Sequence, residues 1–189
     1  MIDVHTHVGW DDYNIFKNFA PERQSGEDLF KKMENMGIEK SVIFPFPFTS
    51  FFDLNTSHKM EIKPSGQMKY PYEHQNNYII ECAKEYSNFI PFLAICIGRY
   101  DNYEHVKSLV EENPEIQGLK LHPRCSRFPI RKLIGSEFMD LAQEYELSLM
   151  IHTDSENVRV STINFEFDLM QLTDPMQVIE LADEYPDVH

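Results

Sequence analysis

The sequence predicts an α/β protein built on a parallel β-sheet, and three observations carry that expectation. Short apolar runs alternate with amphipathic stretches along the chain, as strand–crossover–strand units require. The connections are lopsided. Helix-to-strand links are tight at Gly37–Lys40, Ser87–Phe89 and Glu146–Leu147, whereas strand-to-helix links are long at Gly9–Gln24, Pro45–Pro71 and Thr153–Thr173. Long links of that second kind lie beyond the C-terminal ends of parallel strands, where α/β enzymes place their sites. Finally, no linker or low-complexity segment divides the series, so residues 1–189 are expected to form one domain.

The elements follow in order. "IDVHTHV" (2–8) is the first strand: Asp3, His5 and His7 share one face, and Ile2, Val4, Thr6 and Val8 share the other. Ser25 opens "SGEDLFKKMENMG", with Asp28 three residues on as in a capping box and Gly37 as the stop. "KSVIFPF" is the second strand, "YEHQNNYIIECAKEYS" the next helix and "FIPFLAICIG" the third strand. A helix near "NYEHVKSLVEEN" precedes the short fourth strand "IQGLKLH". Ser136 then opens "SEFMDLAQEYE" before the fifth strand, "LSLMIHTD". Asp174-Pro175 starts a last helix, "DPMQVIELADEY", with an N-cap and a proline at its first position. "YPDVH" at the end reads as the first residues of a sixth strand.

The composition excludes several function classes. A formal charge of −14 argues against a nucleic-acid or anionic-membrane surface, which needs a basic patch. Cys82, Cys96 and Cys125 lie far apart without a C-x-x-C pair, so neither a disulfide framework nor a cysteine zinc site is indicated. That usage favours a reducing compartment, and with no apolar targeting segment the cytoplasm is the expected location. A small molecule is the expected partner, and a homo-oligomer is compatible with the chain.

Candidate ligands converge on the face that carries the long loops. Imidazole is a good ligand for zinc and similar ions, and the first strand puts His5 and His7 side by side. The fourth strand places Lys120 and His122 on one face, and the fifth delivers His152 at its end. Asp154 and Arg124 are pocket candidates by location alone. Cys125 beside Arg124 carries no signal of an activated thiol. His58, His74 and His105 have no partner in view and read as solvated surface histidines. Trp10, Phe51 and Phe52 are loop aromatics that either line a pocket or bury their own loops.

Taken together, "IDVHTHVG", "GLKLHP", "LMIHTD" and "DP…LADEYPDV" resemble the metal-dependent amidohydrolase superfamily, in its amidohydrolase-related (amidohydrolase 2) branch. The resemblance implies a (β/α)8 TIM-type barrel with one or two divalent ions, zinc foremost, at its C-terminal face. By position, His5, His7 and His152 would be metal ligands. Lys120 sits where some members carry a carboxylated lysine bridging two ions; pairing with a substrate carboxylate or a neighbouring acid is its other open reading. His122, Arg124 and Asp154 are left as substrate-side candidates. Only five strand–helix units and the start of a sixth strand occur in 189 residues, against ~250 residues for a typical eight-unit barrel. The domain is therefore expected to be C-terminally incomplete, with the barrel's strand-eight aspartate, the catalytic group, outside it.

The function so implied is hydrolysis of an amide, ester or lactone by metal-activated water. A nonoxidative decarboxylase on the same scaffold is the second expectation, and a non-catalytic, metal-binding partial barrel the third.

Overall fold

The structure is a computed structural model that describes residues 1–10, 23–46, 68–98, 100–126, 128–153 and 170–189. Its strands are β1 (Ile2–Trp10), β2 (Arg23–Gln24), β3 (Lys40–Pro45), β4 (Phe89–Ile95), β5 (Gly118–Leu121) and β6 (Ser148–Ile151). The helices are α1 (Gly26–Met36), α2 (Glu73–Glu85), α3 (Tyr103–Glu112), α4 (Pro123–Ser126), α5 (Glu137–Glu144), α6 (Met170–Thr173) and α7 (Met176–Glu184), with a 3₁₀ turn at Ile130–Leu133. The sheet order is β2-β1-β3-β4-β5-β6. β1, β3, β4, β5 and β6 run parallel in sequential order, and each crossover between them from β3 onward contains a helix. The fold is α/β, in the strand sequence of part of a β/α barrel; eight strands are not present among the described residues.

The local signals act as their chemistry dictates. Ser25 caps α1 by accepting from the Asp28 N–H at 3.1 Å. Gly37 ends the helix at φ 67°, in the left-handed region that glycine enters without a Cβ penalty. The last helix starts one residue later than expected: Pro175 is its N-cap rather than its first residue, and Asp174, one position earlier, accepts from the Met176 N–H at 3.0 Å. Ser136 precedes α5, but its hydroxyl makes no capping bond. The strands are shorter than the apolar runs, β4 ending at Ile95 and β5 at Leu121, because pairing rather than composition sets their ends.

Two elements interrupt segments expected to be loops. β2 pairs antiparallel with Gly9 and Trp10, and the Gln24 side chain donates to the His7 carbonyl at 2.9 Å. This extends β1 beyond Val8. The short helix α6 falls within the long link after β6. Past the last helix, the Leu149 N–H donates to the His189 carbonyl at 2.5 Å, so the chain returns alongside β6.

Strand alternation separates two faces. Val8, Ile43, Leu93, Ile95, Leu119 and Leu121 meet the helices, packing on Leu29 and Met33 of α1, Ile79 and Ile80 of α2, Val106 and Val110 of α3, Leu141 of α5 and Leu181 of α7. The other face carries Val42, Phe44 and Phe92, with Ile90 and Met150 packed on them. Gly118 also faces this way, because the Phe92 ring fills the space its Cβ would take and the Ser148 carbonyl oxygen would lie 2.5 Å from that atom. Gly118→Val should therefore destabilise the protein by about 1–3 kcal/mol through overpacking. A lowered urea midpoint would register the effect, and an unchanged one would contradict this account of the β4–β5 contact.

Candidate metal centre

Three groups named from the sequence meet on the inner face, over Phe44: His5, His7 and Lys120. Phe44 is the β3 partner of His7 in the parallel register. It presents its ring to His5 at 4.8 Å and to His7 at 4.6 Å, both edge to face. The Lys120 Nζ lies 4.9 Å from the same ring, within the range of a cation–π contact. Lys120 is buried, at 4% exposure. His5 and His7 are 5.5 Å apart, ring to ring, as neighbours on one strand face must be.

The tautomer of His7 is fixed by its surroundings. Nδ1 lies 2.7 Å from the Pro45 carbonyl, which can only accept, so Nδ1 carries the proton and Nε2 is left with its lone pair. Burial lowers the His7 pKa from 6.5 to about 4; the Pro45 bond opposes this, and His5, Lys120 and His152 add to the lowering. His5 is exposed on β1, yet its pKa is also lowered, first by desolvation and then by Lys120 and His152, with Asp3 opposing. Both rings are thus neutral near pH 7. For His7, the folded value lies below the unfolded one, so its neutral form costs nothing above pH 6.5 and costs stability as pH falls from 6.5 toward about 4.

The donor chemistry suits a divalent ion. Neutral imidazoles with one nitrogen engaged by a backbone carbonyl are the usual orientation of metal-ligating histidine. The set is only partly assembled: among the described residues no three His, Cys, Asp or Glu side chains are grouped so as to hold an ion. His152 leaves the end of β6 with its N–H bonded to the Leu121 carbonyl at 3.0 Å. Its ring stacks on His122 at 4.0 Å and 13°.

No family model matches the chain, and no curated protein matches it in sequence. Among solved structures, a probable 2-pyrone-4,6-dicarboxylic acid hydrolase from Acinetobacter baumannii, with citric acid bound, is similar at a TM-score of 0.36 and 12% identity. The similarity covers 80% of this chain and 57% of that one, so the chain spans little more than half the length of that structure.

The remaining candidates divide. Asp154 and His58, with Phe51 and Phe52, lie outside the described residues, as do the side chains of Arg124, Cys125 and Trp10. His74 is exposed on α2. His105 differs from the surface histidine expected of it: it is half-buried, stacks on Tyr70 at 5.7 Å, and its Nε2 makes no hydrogen bond. Phe44 and Phe46, not among the residues expected at the site, pack on the β1 imidazoles. Their period-two spacing in "FPF" was the available signal. Among the described residues, no helix is long and apolar enough to cross a membrane.

Proposed function

We infer that this chain belongs to a metal-dependent hydrolase of the amidohydrolase type, with His5, His7 and His152 as ligands of a divalent ion, zinc first among the candidates. The observation that supports this reading is the meeting of His5, His7 and Lys120 around Phe44 on one sheet face, with His152 close enough to act on both β1 imidazoles electrostatically. A bound ion of this kind supplies a Lewis acid and lowers the pKa of its water from 15.7 toward about 7. The chain's own contribution is to present neutral imidazoles. Pro45 holds the proton of His7 on Nδ1, which keeps Nε2 available. Phe44 and Phe46 fix the ring orientations and limit water on one side. Lys120, buried on the same face, would offer a positive charge to an anionic group of the substrate or, if carboxylated, would serve as a ligand for a second ion.

The native protein should carry tightly bound divalent ion by elemental analysis and cleave a member of an amide, ester and lactone panel, with chelation abolishing turnover. Absence of any tight divalent-ion binding would sink the reading, and release of carbon dioxide would reassign the protein as a decarboxylase. The ion count decides between the two roles of Lys120. Two ions falling to one in Lys120→Ala identify the carboxylated bridge; one ion, unchanged by the substitution, identifies the substrate-pairing lysine.

A further inference from the structure

β5 and β6 are paired in parallel, with Leu121 beside Ile151, so the next residues, His122 and His152, leave the sheet as neighbours. Their rings stack nearly parallel, with centroids 4.0 Å apart and planes 13° from each other. Imidazole lone pairs lie in the ring plane, and metal–nitrogen bonds are about 2.0–2.1 Å. Two stacked rings therefore cannot both donate to one ion, and the second must do something else. His152 is also an electrostatic neighbour of His5 and His7. His122 is anchored through its backbone. It precedes Pro123, which restricts its backbone to extended conformations. Its carbonyl accepts from the Ser126 N–H at 3.1 Å and the Ser126 hydroxyl at 3.3 Å. The β1 imidazoles have equivalent supports: Phe44 beside His5, and Phe44 with Phe46 beside His7, the latter stacked at 5.3 Å.

We propose that His122 is a positioning residue, a flat brace that sets the ring plane of His152 by stacking and gives no nitrogen of its own to the ion. The proposal rests on the metal-ligand reading of His152. A ring confined to one plane has less side-chain freedom to lose when it becomes a ligand.

The test uses the native protein with Zn²⁺ as probe, and circular dichroism to confirm the fold of each variant. His122→Ala should weaken Zn²⁺ affinity by about ten-fold, the effect of losing a residue that supports a ligand. His122→Phe, which keeps a flat ring and has no nitrogen, should restore affinity to within about two-fold of wild type. In zinc-free protein, the Cε1–H resonance of His152 should shift in His122→Ala as the neighbouring ring current is lost, and stay displaced from its unfolded position in His122→Phe. Equal loss of affinity in both variants would make His122 a donor and overturn the proposal, as would an unaltered affinity in His122→Ala. If the wild-type protein binds no zinc, the ligand reading fails by itself. The zinc-free spectra then still decide the stacking, because an unmoved His152 resonance in His122→Ala overturns the brace.

Discussion

His5→Asn and His7→Asn should each strip the native protein of tightly bound divalent ion, with activity falling more than about a hundred-fold, while circular dichroism stays that of the wild type. The loss should exceed the 10- to 100-fold typical of removing a residue that merely supports a ligand. His5 and His7 lie about 6.6 Å apart along one strand face, so both reach an ion about 2.0–2.1 Å from each nitrogen without bending the backbone. The fold should tolerate the changes. His5 is exposed, so its replacement leaves no cavity. His7 makes a hydrogen bond to the Pro45 carbonyl that an asparagine amide can replace in kind. Histidines that serve only as packing would behave in the opposite way, costing stability and leaving metal in place. A full complement of ion in either variant, by elemental analysis, would show that "VHTH" is not a metal clasp.

Asn102→Ala should lower stability by about 2–4 kcal/mol, read as a fall in the urea midpoint, with Asn76→Ala costing somewhat less. The ladder between β3 and β4 stops at Ile43–Pro91. Beyond that point two fully buried asparagines take its place. Asn76 of α2 accepts from the Ala94 N–H at 2.8 Å and donates to the Ala94 carbonyl at 3.0 Å. Asn102, just before α3, accepts from the Cys96 N–H at 2.8 Å and donates to the Pro71 and Ala94 carbonyls at 3.1 and 3.0 Å. Losing Asn102 orphans the Cys96 donor and the Pro71 acceptor, each worth about 1–3 kcal/mol when buried and unmade. Losing Asn76 orphans the Ala94 donor alone, since Asn102 still serves that carbonyl. These clamps fix the C-terminal end of β4, next to the strand that carries Lys120. An Asn102→Ala midpoint equal to wild type would mean that water replaces the side chain there.

The features legible in the residues alone are those that local rules control. Strand alternation places His5 and His7 on one face, and it turned out to be the inner one, because Val8 and Ile43 face the helices. The serine before α1 and the glycine after it mark the helix ends because caps depend on residues within one turn. The sequential strand–helix order followed from the alternating pattern, since parallel neighbours need crossovers. Tertiary structure alone decided the rest, since strand register and pairing join residues far apart in sequence. Register set Phe44 beside His7, and brought His152 against His122 from 30 positions away, neither of which periodicity can announce. The antiparallel β2, paired with Gly9 and Trp10, has only two residues, too few to show a period. Asn76 and Asn102 read as ordinary polar residues near helix starts until the end of the β3–β4 ladder gives them backbone groups to satisfy. Burial fixed the charge state of His7 as well. Its pKa depends on the Phe44 and Phe46 rings around it and the Pro45 carbonyl beneath it, contacts made only when β3 pairs with β1.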